Sequence, residues 1–449
     1  RYPEREFVSV PALRQYWRPL RPLEPRRDDS LPDAELLLKR QRIETGLGVV
    51  LIRDEDRSPA ALEIMARFAV DPRWLVYLPP TMSPCDASAR PDYLEHPEGV
   101  AYYKKRGVNR VICEEKHMGS RAIAIVCKDP ETAKSRFAPS AKTCGMIYSR
   151  TGRPFFYGSQ TPVMDEALGR LAGELAKTGF WDKYATDWVC LDCEIMPWSY
   201  KAAPLIDSQY APYGIAGING LDASLNAIKK YARRMGDAAD PASLASMETL
   251  SRRLEENRES LLAYNKVWRS YCAPATSLAT IRIAPFHILA TENKVWSDLS
   301  HDRHLAVLEE HLGNLPFFAP TRNIIVDLDA PDGVERATAF WLDLTAAGAE
   351  GMVVKPLDFI ARRGEKLLQP AIKIRGKEYL RLIYGAAYAD KLESFKKREL
   401  AAKRKRAVRE FALGLEGLDR FVRGESLHKV HECAFTILAL EGEPQDARL

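Results

Sequence analysis

Two short apolar segments separated by a polar turn constrain the fold of this chain more than any other feature. Residues 111–113 and 122–126 are apolar and β-prone, which favours strands, while Gly119 and Ser120 are typical of a turn. We interpret the segment as two strands hinged at that turn. Lys116 lies at the mouth of the hinge, where it is suited to presenting an amine to a phosphate.

The composition indicates an ordinary globular protein. The chain has 449 residues, of which 46% are hydrophobic, and this length suits about two to three domains. It contains no apolar run near the roughly 20 residues that a membrane span needs, and no signal-peptide pattern at its start. We therefore expect a soluble, cytoplasmic protein with no membrane partner. Because the first residue is Arg1 rather than methionine, we also expect that the chain was cut from a longer polypeptide.

Charge and cysteine content exclude few functions but set some limits. The net charge of +5 permits nucleic-acid binding without requiring it. The local excess is larger between Lys391 and Glu410, where nine Lys or Arg residues stand against three Glu residues. Eight cysteines are scattered without the paired spacing of a disulfide framework or a four-ligand zinc site.

A pair of carboxylates lies inside an apolar segment. Asp192 and Glu194 fall within residues 188–196, which read as a strand, and residues two apart in a strand face the same way. Burying a carboxylate without a partner is costly. This strand is therefore better suited to lining a site than to filling a core.

A pair of cations lies in a later strand. Alternation in residues 371–376 puts Lys373 and Arg375 on one face, with Ile372 and Ile374 on the other. Two cations at this spacing suit an α-phosphate. A cation beside Lys116 would also favour the neutral, nucleophilic form of its amine.

Two regions have a helical rather than a strand pattern. Residues 201–275 contain amphipathic segments with many charged residues, which predict a helical insertion of about 70 residues. Residues 386–449 also read as helices, and the basic segment 391–413 belongs to them. That basic helix would either clamp an RNA backbone or form a solvated surface.

The pattern Lys116-X-X-Gly119-X-Arg121 resembles the nucleophile motif of covalent nucleotidyltransferases, the superfamily of ATP-dependent DNA and RNA ligases and mRNA capping enzymes. Three further elements resemble the family in the same order along the chain: residues 191–195, 350–356 and 371–381. The sequences of residues 114–121 and 374–385 resemble those of the ligase domain of bacterial polynucleotide kinase-phosphatases (Pnkp). The chain departs from the ligase pattern at Met118, where most ligases have aspartate, and at Cys193, where they have glycine.

The resemblance implies an α+β fold with an ATP-grasp-like core of antiparallel sheets, of the DNA and RNA ligase type. A five-stranded oligonucleotide-binding barrel needs roughly 100 residues, so residues 386–449 predict a helical module in its place. We expect four parts, which are an N-terminal segment (1–90) packed on the core, the nucleotidyltransferase core (91–200 and 276–385), the helical insertion (201–275) and the basic C-terminal module (386–449).

The resemblance also implies a role for each matching residue. Lys116 would form lysyl-AMP with ATP, and Lys373 and Arg375 would assist catalysis. A divalent ion, Mg²⁺ or Mn²⁺, would be held by Glu350 and Glu194, because hard cations prefer oxygen ligands. The nucleotide would be bound by Glu115, His117, Arg121, Arg150, Glu194, Phe286 and Lys355.

The same resemblance implies a place in RNA repair. AMP would pass from the lysine to an RNA 5′-phosphate, and a 3′-hydroxyl would then displace it to seal the ends. The phosphate-binding loop of a kinase is absent, so kinase and phosphatase modules would lie upstream in the same polypeptide. Members of the family also depend on an RNA 2′-O-methyltransferase partner.

Several alternatives remain open on the sequence alone. A GTP-charging enzyme of the capping type would share the covalent step, and a non-catalytic RNA-binding module would use the basic helix without turnover. Phe286 would stack on the purine by the resemblance, although a phenylalanine in a strand is more often part of a core. Arg150 is equally compatible with an exposed position in a hairpin.

Overall fold

Two five-stranded sheets form the framework of the protein in its computed structural model. The structure describes residues 41–52, 58–235, 240–272, 275 and 277–449. Residues 1–40 of the predicted N-terminal segment therefore lie outside the described residues. Antiparallel sheets combined with many helices confirm the predicted α+β class.

The first sheet is mixed and has the strand order β10-β4-β11-β14-β3. Its neighbouring strands are antiparallel, except that β14 and β3 run parallel. Alternate residues such as Val111, Met352 and Ile374 are fully buried against Trp341 of a covering helix. The strands are β3 (Ser83–Pro84), β4 (Arg110–Glu115), β10 (Asn323–Asp327), β11 (Gly351–Pro356) and β14 (Ile372–Arg375).

The second sheet is antiparallel throughout and has the order β6-β5-β7-β8-β9. Its inner strands belong to the largest hydrophobic core, which also holds Leu168 and Leu171 of one helix and Phe435 of another. The strands are β5 (Ser120–Cys127), β6 (Gly145–Ser149), β7 (Trp188–Met196), β8 (Arg282–Thr291) and β9 (Lys294–Val295). Two short hairpins complete the strands: β1 (Gln41–Thr45) with β2 (Gly48–Ile52), and β12 (Arg362–Arg363) with β13 (Lys366–Leu367).

The turn after β4 carries the chain from one sheet to the other. β4 pairs with β10 and β11, whereas β5 pairs with β6 and β7, so the two strands around Lys116 are not partners. The two predicted strands and the polar turn between them are confirmed, and the strands belong to different sheets. The turn connects two separately packed sheets, which places Lys116 at their junction.

Helices cover the outer faces of both sheets. In the described part of the chain, none of them is both long enough and apolar enough to cross a membrane. The helices before the insertion are α1 (Ser58–Glu63), α2 (Ala101–Lys104), α3 (Pro130–Arg136), α4 (Thr161–Lys177) and α5 (Phe180–Lys183). Those that follow it as far as residue 396 are α9 (His301–Leu312), α10 (Gly333–Ala346), α11 (Lys377–Tyr384) and α12 (Leu392–Lys396).

The region between β7 and β8 is helical. It contains α6 (Ser199–Leu205), α7 (Ala211–Met235) and α8 (Pro241–Ser270). Most residues of α7 and of the first half of α8 are exposed, while Leu261, Tyr264 and Val267 near the end of α8 are buried with Leu382 of α11. The helical insertion is thus attached to the rest of the protein through the end of α8.

The C-terminal region is helical and holds α13 (Ala401–Val422) and α14 (Leu427–Glu441). Residues 386–449, all of them described, contain no strand, so no barrel is present. Ala407, Phe411 and Leu413 of α13 are buried in or against the main core. One face of the basic helix is therefore packed, and only the remainder is available to solvent.

We predict that Gly119→Ala destabilises the protein. A Cβ atom at this position would lie 2.5 Å from the carbonyl oxygen of Ile195, so the turn between the sheets has no room for it. The free energy of unfolding should fall by about 1–3 kcal/mol, measured by chemical denaturation. Gly169→Ala in α4 is a matched control, because a Cβ there would meet nothing within 4 Å. Equal stability of the Gly119→Ala variant and the wild type would contradict the prediction.

Candidate nucleotide-binding site

A cavity opens between the two sheets. Its lining comes from both sheets, from the segment before β3 and from α13. Seven residues that the sequence predicted for the site lie on its wall: Glu115, Lys116, His117, Arg121, Glu194, Phe286 and Lys355.

Lys116 is fixed at the cavity by the start of β11. Its backbone N–H donates to the carbonyl oxygen of Gly351 at 2.9 Å, and its Nζ lies 2.8 Å from Oε1 of Glu350. Glu350 is 3% exposed, and its backbone carbonyl accepts from the N–H of Gly376. The amine and this carboxylate are therefore held together by neighbouring strands of one sheet, although they are far apart in sequence.

Glu194 approaches the same pair from the second sheet. Burial raises the pKa of its carboxyl to about 7; Glu350 adds to this rise, while Lys116 opposes it. Glu194 is hydrogen-bonded through its strand to β5, opposite Arg121. The two predicted metal ligands thus lie close enough to influence one another.

These two carboxylates suit a hard divalent cation. Mg²⁺ is commonly held by one or two carboxylates together with substrate phosphates, rather than by an all-protein cage. In the described residues no group of three or more His, Cys, Asp or Glu side chains could hold a metal by itself. The donors present therefore fit a metal that is shared with a bound phosphate.

Arg121 is oriented by a buried carboxylate. Its Nε donates to Oδ1 of Asp192 at 2.9 Å, its Nη2 donates to Oδ2 at 2.6 Å, and its Nη1 donates to the carbonyl oxygen of Pro80 at 3.0 Å. Asp192 is fully buried, so this bidentate pair satisfies a carboxylate that would otherwise be costly to bury. The guanidinium carbon stands 5.5 Å from the ring centre of Phe286. Asp192 thus acts through Arg121 on the cavity wall.

Lys355 has a similar buried arrangement. Its Nζ donates to Oε2 of Glu114 at 2.6 Å and lies 3.1 Å from Nε2 of His287. Burial lowers the pKa of its ammonium, and Glu114 opposes this change. The ammonium also lies 5.0 Å from the ring centre of Phe286, which is only partly buried. The ring therefore has cations near it and a surface available to the cavity.

His117 and Glu115 lie near one another at the turn, with Nδ1 of His117 3.9 Å from Oε1 of Glu115. Nε2 of His117 lies 2.9 Å from Oγ1 of Thr321, and burial together with Lys116 lowers the pKa of this imidazole to about 4. His117 is therefore neutral at pH 7. Burial raises the pKa of the Glu115 carboxyl, against the attraction of Arg322.

The structure places Lys373 and Arg375 in different surroundings, and the described lining of the cavity includes neither of them. Arg375 is 4% exposed and holds Glu95, with its Nη2 2.6 Å from Oε1 and its Nε 3.1 Å from Oε2. Arg398 binds the same carboxylate, with Nη1 3.0 Å from Oε1. The guanidinium of Arg375 therefore forms an internal ion pair with Glu95. Lys373 is partly exposed and close enough to Lys116 for the two charges to repel.

Arg150 pairs with a carboxylate away from the cavity wall. Its Nη1 lies 2.5 Å from Oε1 of Glu441, near the end of α14. The described lining of the cavity does not include Arg150. The expected contact between this arginine and the nucleotide is therefore not supported by its position.

Sequence reasoning missed three groups on the cavity wall. Glu114 and His287 are neighbours of predicted residues, and His301 stacks against Phe359 with ring centres 5.1 Å apart. The signal for Glu114 was a carboxylate within the apolar strand β4, which is costly to bury without a partner. Nothing in the sequence around His301 distinguishes it from an ordinary residue at the start of a helix.

The sequence matches the family described as "PNKP adenylyltransferase domain, ligase domain" over residues 60–444. The chain belongs to the PNKP adenylyltransferase domain family. This confirms the resemblance seen in the motifs around Lys116 and Lys373.

Two solved structures share the fold of this PNKP adenylyltransferase domain. A chain in "Structure of Pnkp1/Rnl/Hen1 complex" has a TM-score of 0.64 and 18% identity, over 84% of this chain and 98% of that chain. A chain in "Structure of the Pnkp1/Rnl/Hen1 RNA repair complex" has a TM-score of 0.62 and 17% identity, over 84% and 98% respectively. At these identities the similarity shows a common fold. No curated protein matches the chain.

We predict that Glu194→Gln stabilises this PNKP adenylyltransferase domain at alkaline pH. The pKa of Glu194 in the folded protein is about 7, above its ordinary value of 4.5, so the folded state favours the protonated carboxyl. The contribution of Glu194 to the free energy of unfolding is therefore highest below pH 4.5 and falls as the pH rises through 7. At pH 8 the variant should therefore unfold with a free energy about 1–3 kcal/mol higher than the wild type, and the difference should vanish near pH 4.

Denaturant titrations at several pH values would measure this difference. Glu248→Gln is a suitable control, because Glu248 is exposed on α8 and should show no such pH dependence. A stability difference for Glu194→Gln that is independent of pH would show that the carboxyl group is not held in its neutral form by burial.

Proposed function

We propose that this domain is an ATP-dependent RNA ligase module that charges itself with AMP on Lys116. The observation that carries the proposal is the contact between Lys116 and Glu350 at the mouth of a cavity between two sheets. The side chain of Lys116 is 16% exposed beside a carboxylate. Most of it is shielded from solvent, and a substrate phosphate can still reach its amine. Membership of the PNKP adenylyltransferase family supports the same chemistry.

The covalent step balances as a nucleophilic displacement. Lys116 first gives up one ammonium proton to water, and its lone pair then attacks the α-phosphorus of ATP. A nitrogen–phosphorus bond forms, the bond from the α-phosphorus to the bridging oxygen breaks, and pyrophosphate leaves with that electron pair. The nitrogen then loses a second proton to water, and the product is a lysyl-AMP phosphoramidate.

The remaining residues of the cavity position the reactants. Phe286 offers a ring face for the purine, and Arg121 is kept in place by Asp192 beside that ring. Glu350 and Glu194 would hold a divalent cation, which would neutralise the charge on the triphosphate.

The substrate after charging is proposed to be RNA. One structural neighbour belongs to a Pnkp1/Rnl/Hen1 RNA repair complex, and this supports a role in joining an RNA 5′-phosphate to a 3′-hydroxyl. By the same reasoning we propose kinase and phosphatase modules in the same polypeptide and an RNA 2′-O-methyltransferase as partner.

Incubation with α-labelled ATP and Mn²⁺ should leave base-resistant label on the protein. Lys116→Ala should abolish the label, because no other side chain is proposed to become bonded to AMP. Lys105→Ala, at an exposed lysine earlier in the chain, is the control and should be labelled like the wild type. Absence of label on the wild type at saturating ATP, or stronger labelling by GTP, would refute the proposal.

Phe286→Ala should weaken ATP binding through loss of stacking. A base stacked on an aromatic ring contributes about 1–3 kcal/mol, so we expect the KM for ATP to rise roughly tenfold or more with a smaller change in kcat. Phe286→Tyr keeps the ring and should retain most of the affinity. Initial rates of label formation over a range of ATP concentrations would measure both constants, and an unchanged KM in Phe286→Ala would exclude a role for the ring in base binding.

A further inference from the structure

A second cavity lies beside the beginning of β5. Its described lining shares no residue with the lining of the cavity at Lys116 and includes no Asp or Glu side chain. It does include three cations and three aromatic rings, a combination typical of surfaces that bind single-stranded nucleic acids. We call this cavity the aromatic groove. The cations are Arg67, Arg153 and Lys201, and the rings are those of Phe68, Phe155 and Tyr157.

Lys201 of α6 lies close to two of these rings. Its Nζ is 4.7 Å from the ring centre of Phe155 and 4.8 Å from that of Tyr157, and it donates to the carbonyl oxygen of Pro154 at 3.3 Å. Within the described residues, none of its contacts is with a carboxylate. Burial lowers the pKa of its ammonium to about 8, so the group still carries most of its charge at pH 7. A phosphate would give this cation the anionic partner that the described residues do not supply.

Tyr157 presents the most exposed ring of the groove. It is 64% exposed, whereas Phe155 is buried and Phe68 is partly exposed. An exposed aromatic ring offers a face on which a nucleotide base can stack, and stacking removes apolar surface from water. The ring of Tyr157 and the ammonium of Lys201 thus form a neighbouring pair of groups, one suited to a base and the other to a phosphate.

The two arginines of the groove extend its positive surface. The guanidinium carbons of Arg67 and Arg153 lie 5.5 Å and 5.0 Å from the ring centre of Phe68. Nη1 of Arg67 is also 3.0 Å from Oε1 of Glu63, which offsets part of its charge. Lys201 is therefore the cation best suited to a phosphate, and the arginines add to the positive field around it.

The aromatic groove and the cavity at Lys116 lie on opposite faces of β5. Ser120 lines the groove and Arg121 lines the cavity, and successive side chains of a strand point to opposite faces. Ser149 lies opposite Ala122 in the neighbouring strand and lines the groove on the same face as Ser120. The four residues of chain from Lys116 to Ser120 span at most about 14 Å. A nucleic-acid strand in the groove is therefore close enough to reach the nucleophile around the start of β5.

We propose that the aromatic groove binds single-stranded RNA beside the end to be joined, with Tyr157 stacked on a base and Lys201 in contact with a phosphate. This inference rests on the proposed function, because it places the RNA substrate of that reaction. RNA fits the groove better than an acidic peptide does, since each nucleotide carries both a phosphate and a flat base. A single strand fits better than a duplex, whose bases are paired and stacked with one another and cannot meet Tyr157.

Equilibrium binding of a 5′-phosphorylated single-stranded RNA tests the role of Tyr157. Fluorescence anisotropy without ATP can use the full chain with Lys116→Ala as the parent protein, since this variant cannot be charged. Adding Tyr157→Ala should weaken binding about tenfold, and adding Tyr157→Phe, which keeps the ring, should change it less than about threefold. Tyr231→Ala is the matched control, because Tyr231 is 52% exposed on α7, and it should bind RNA like the parent. Affinity for duplex RNA of the same sequence should not change in Tyr157→Ala.

The salt dependence of binding tests the role of Lys201. Each phosphate contact of a single strand contributes about −0.7 to the slope of log K against log salt concentration. Lys201→Gln should make the slope less negative by about that amount. Lys230→Gln, at an exposed lysine of α7, is the control and should leave the slope unchanged.

Three outcomes would overturn the inference. An RNA affinity of Tyr157→Ala equal to that of Tyr231→Ala would mean that the groove takes a partner of another class, such as an acidic peptide. Equal losses of affinity for single-stranded and duplex RNA would mean that Tyr157 does not stack on a base. An unchanged slope in Lys201→Gln would mean that this lysine contacts no phosphate.

These measurements need no ATP, which separates the inference from the proposed function. A wild-type protein that fails to label at Lys116 would refute the proposed function, while the RNA affinities would still decide whether the groove binds RNA. Thermal melting of each variant would establish that it is folded.

Discussion

The position of Lys116 depends on one constraint, which is the passage of the chain from β4 in the first sheet to β5 in the second. The connection is four residues long and is held by the hydrogen bond from the N–H of Lys116 to Gly351. Because both sheets are packed into separate cores, the turn cannot relax into a hairpin. The lysine is therefore presented at a junction where carboxylates from both sheets, Glu350 and Glu194, can reach it.

Around this junction, buried ion pairs decide which cations remain for a substrate. Arg121 is paired with Asp192, Lys355 with Glu114, and Arg375 with Glu95. Each pair satisfies a carboxylate that burial would otherwise make costly, and each orients its cation in one direction. The cations of the cavity wall are thus held in fixed positions by the protein itself.

The sequence predicted a large part of this organisation, because strand alternation and the spacing of Lys116, Gly119 and Arg121 are local properties. The α+β class, the family and the helical C-terminal region followed from such patterns and are confirmed. Seven of the predicted residues lie on one cavity wall. The roles of Arg375 and Arg150 could not be predicted in the same way, since the carboxylates that bind them, Glu95 and Glu441, are distant in sequence.

The attachment of Glu95 has a consequence for how the protein can be divided. This carboxylate accepts from Arg375 on the core strand β14 and from Arg398, which precedes α13. Removal of the C-terminal region would take away one of the two arginines and leave a fully desolvated acid with half of its compensation. The chain therefore cannot be truncated at residue 386 without loss of stability, so the two sheets and the terminal helices should melt in one cooperative transition.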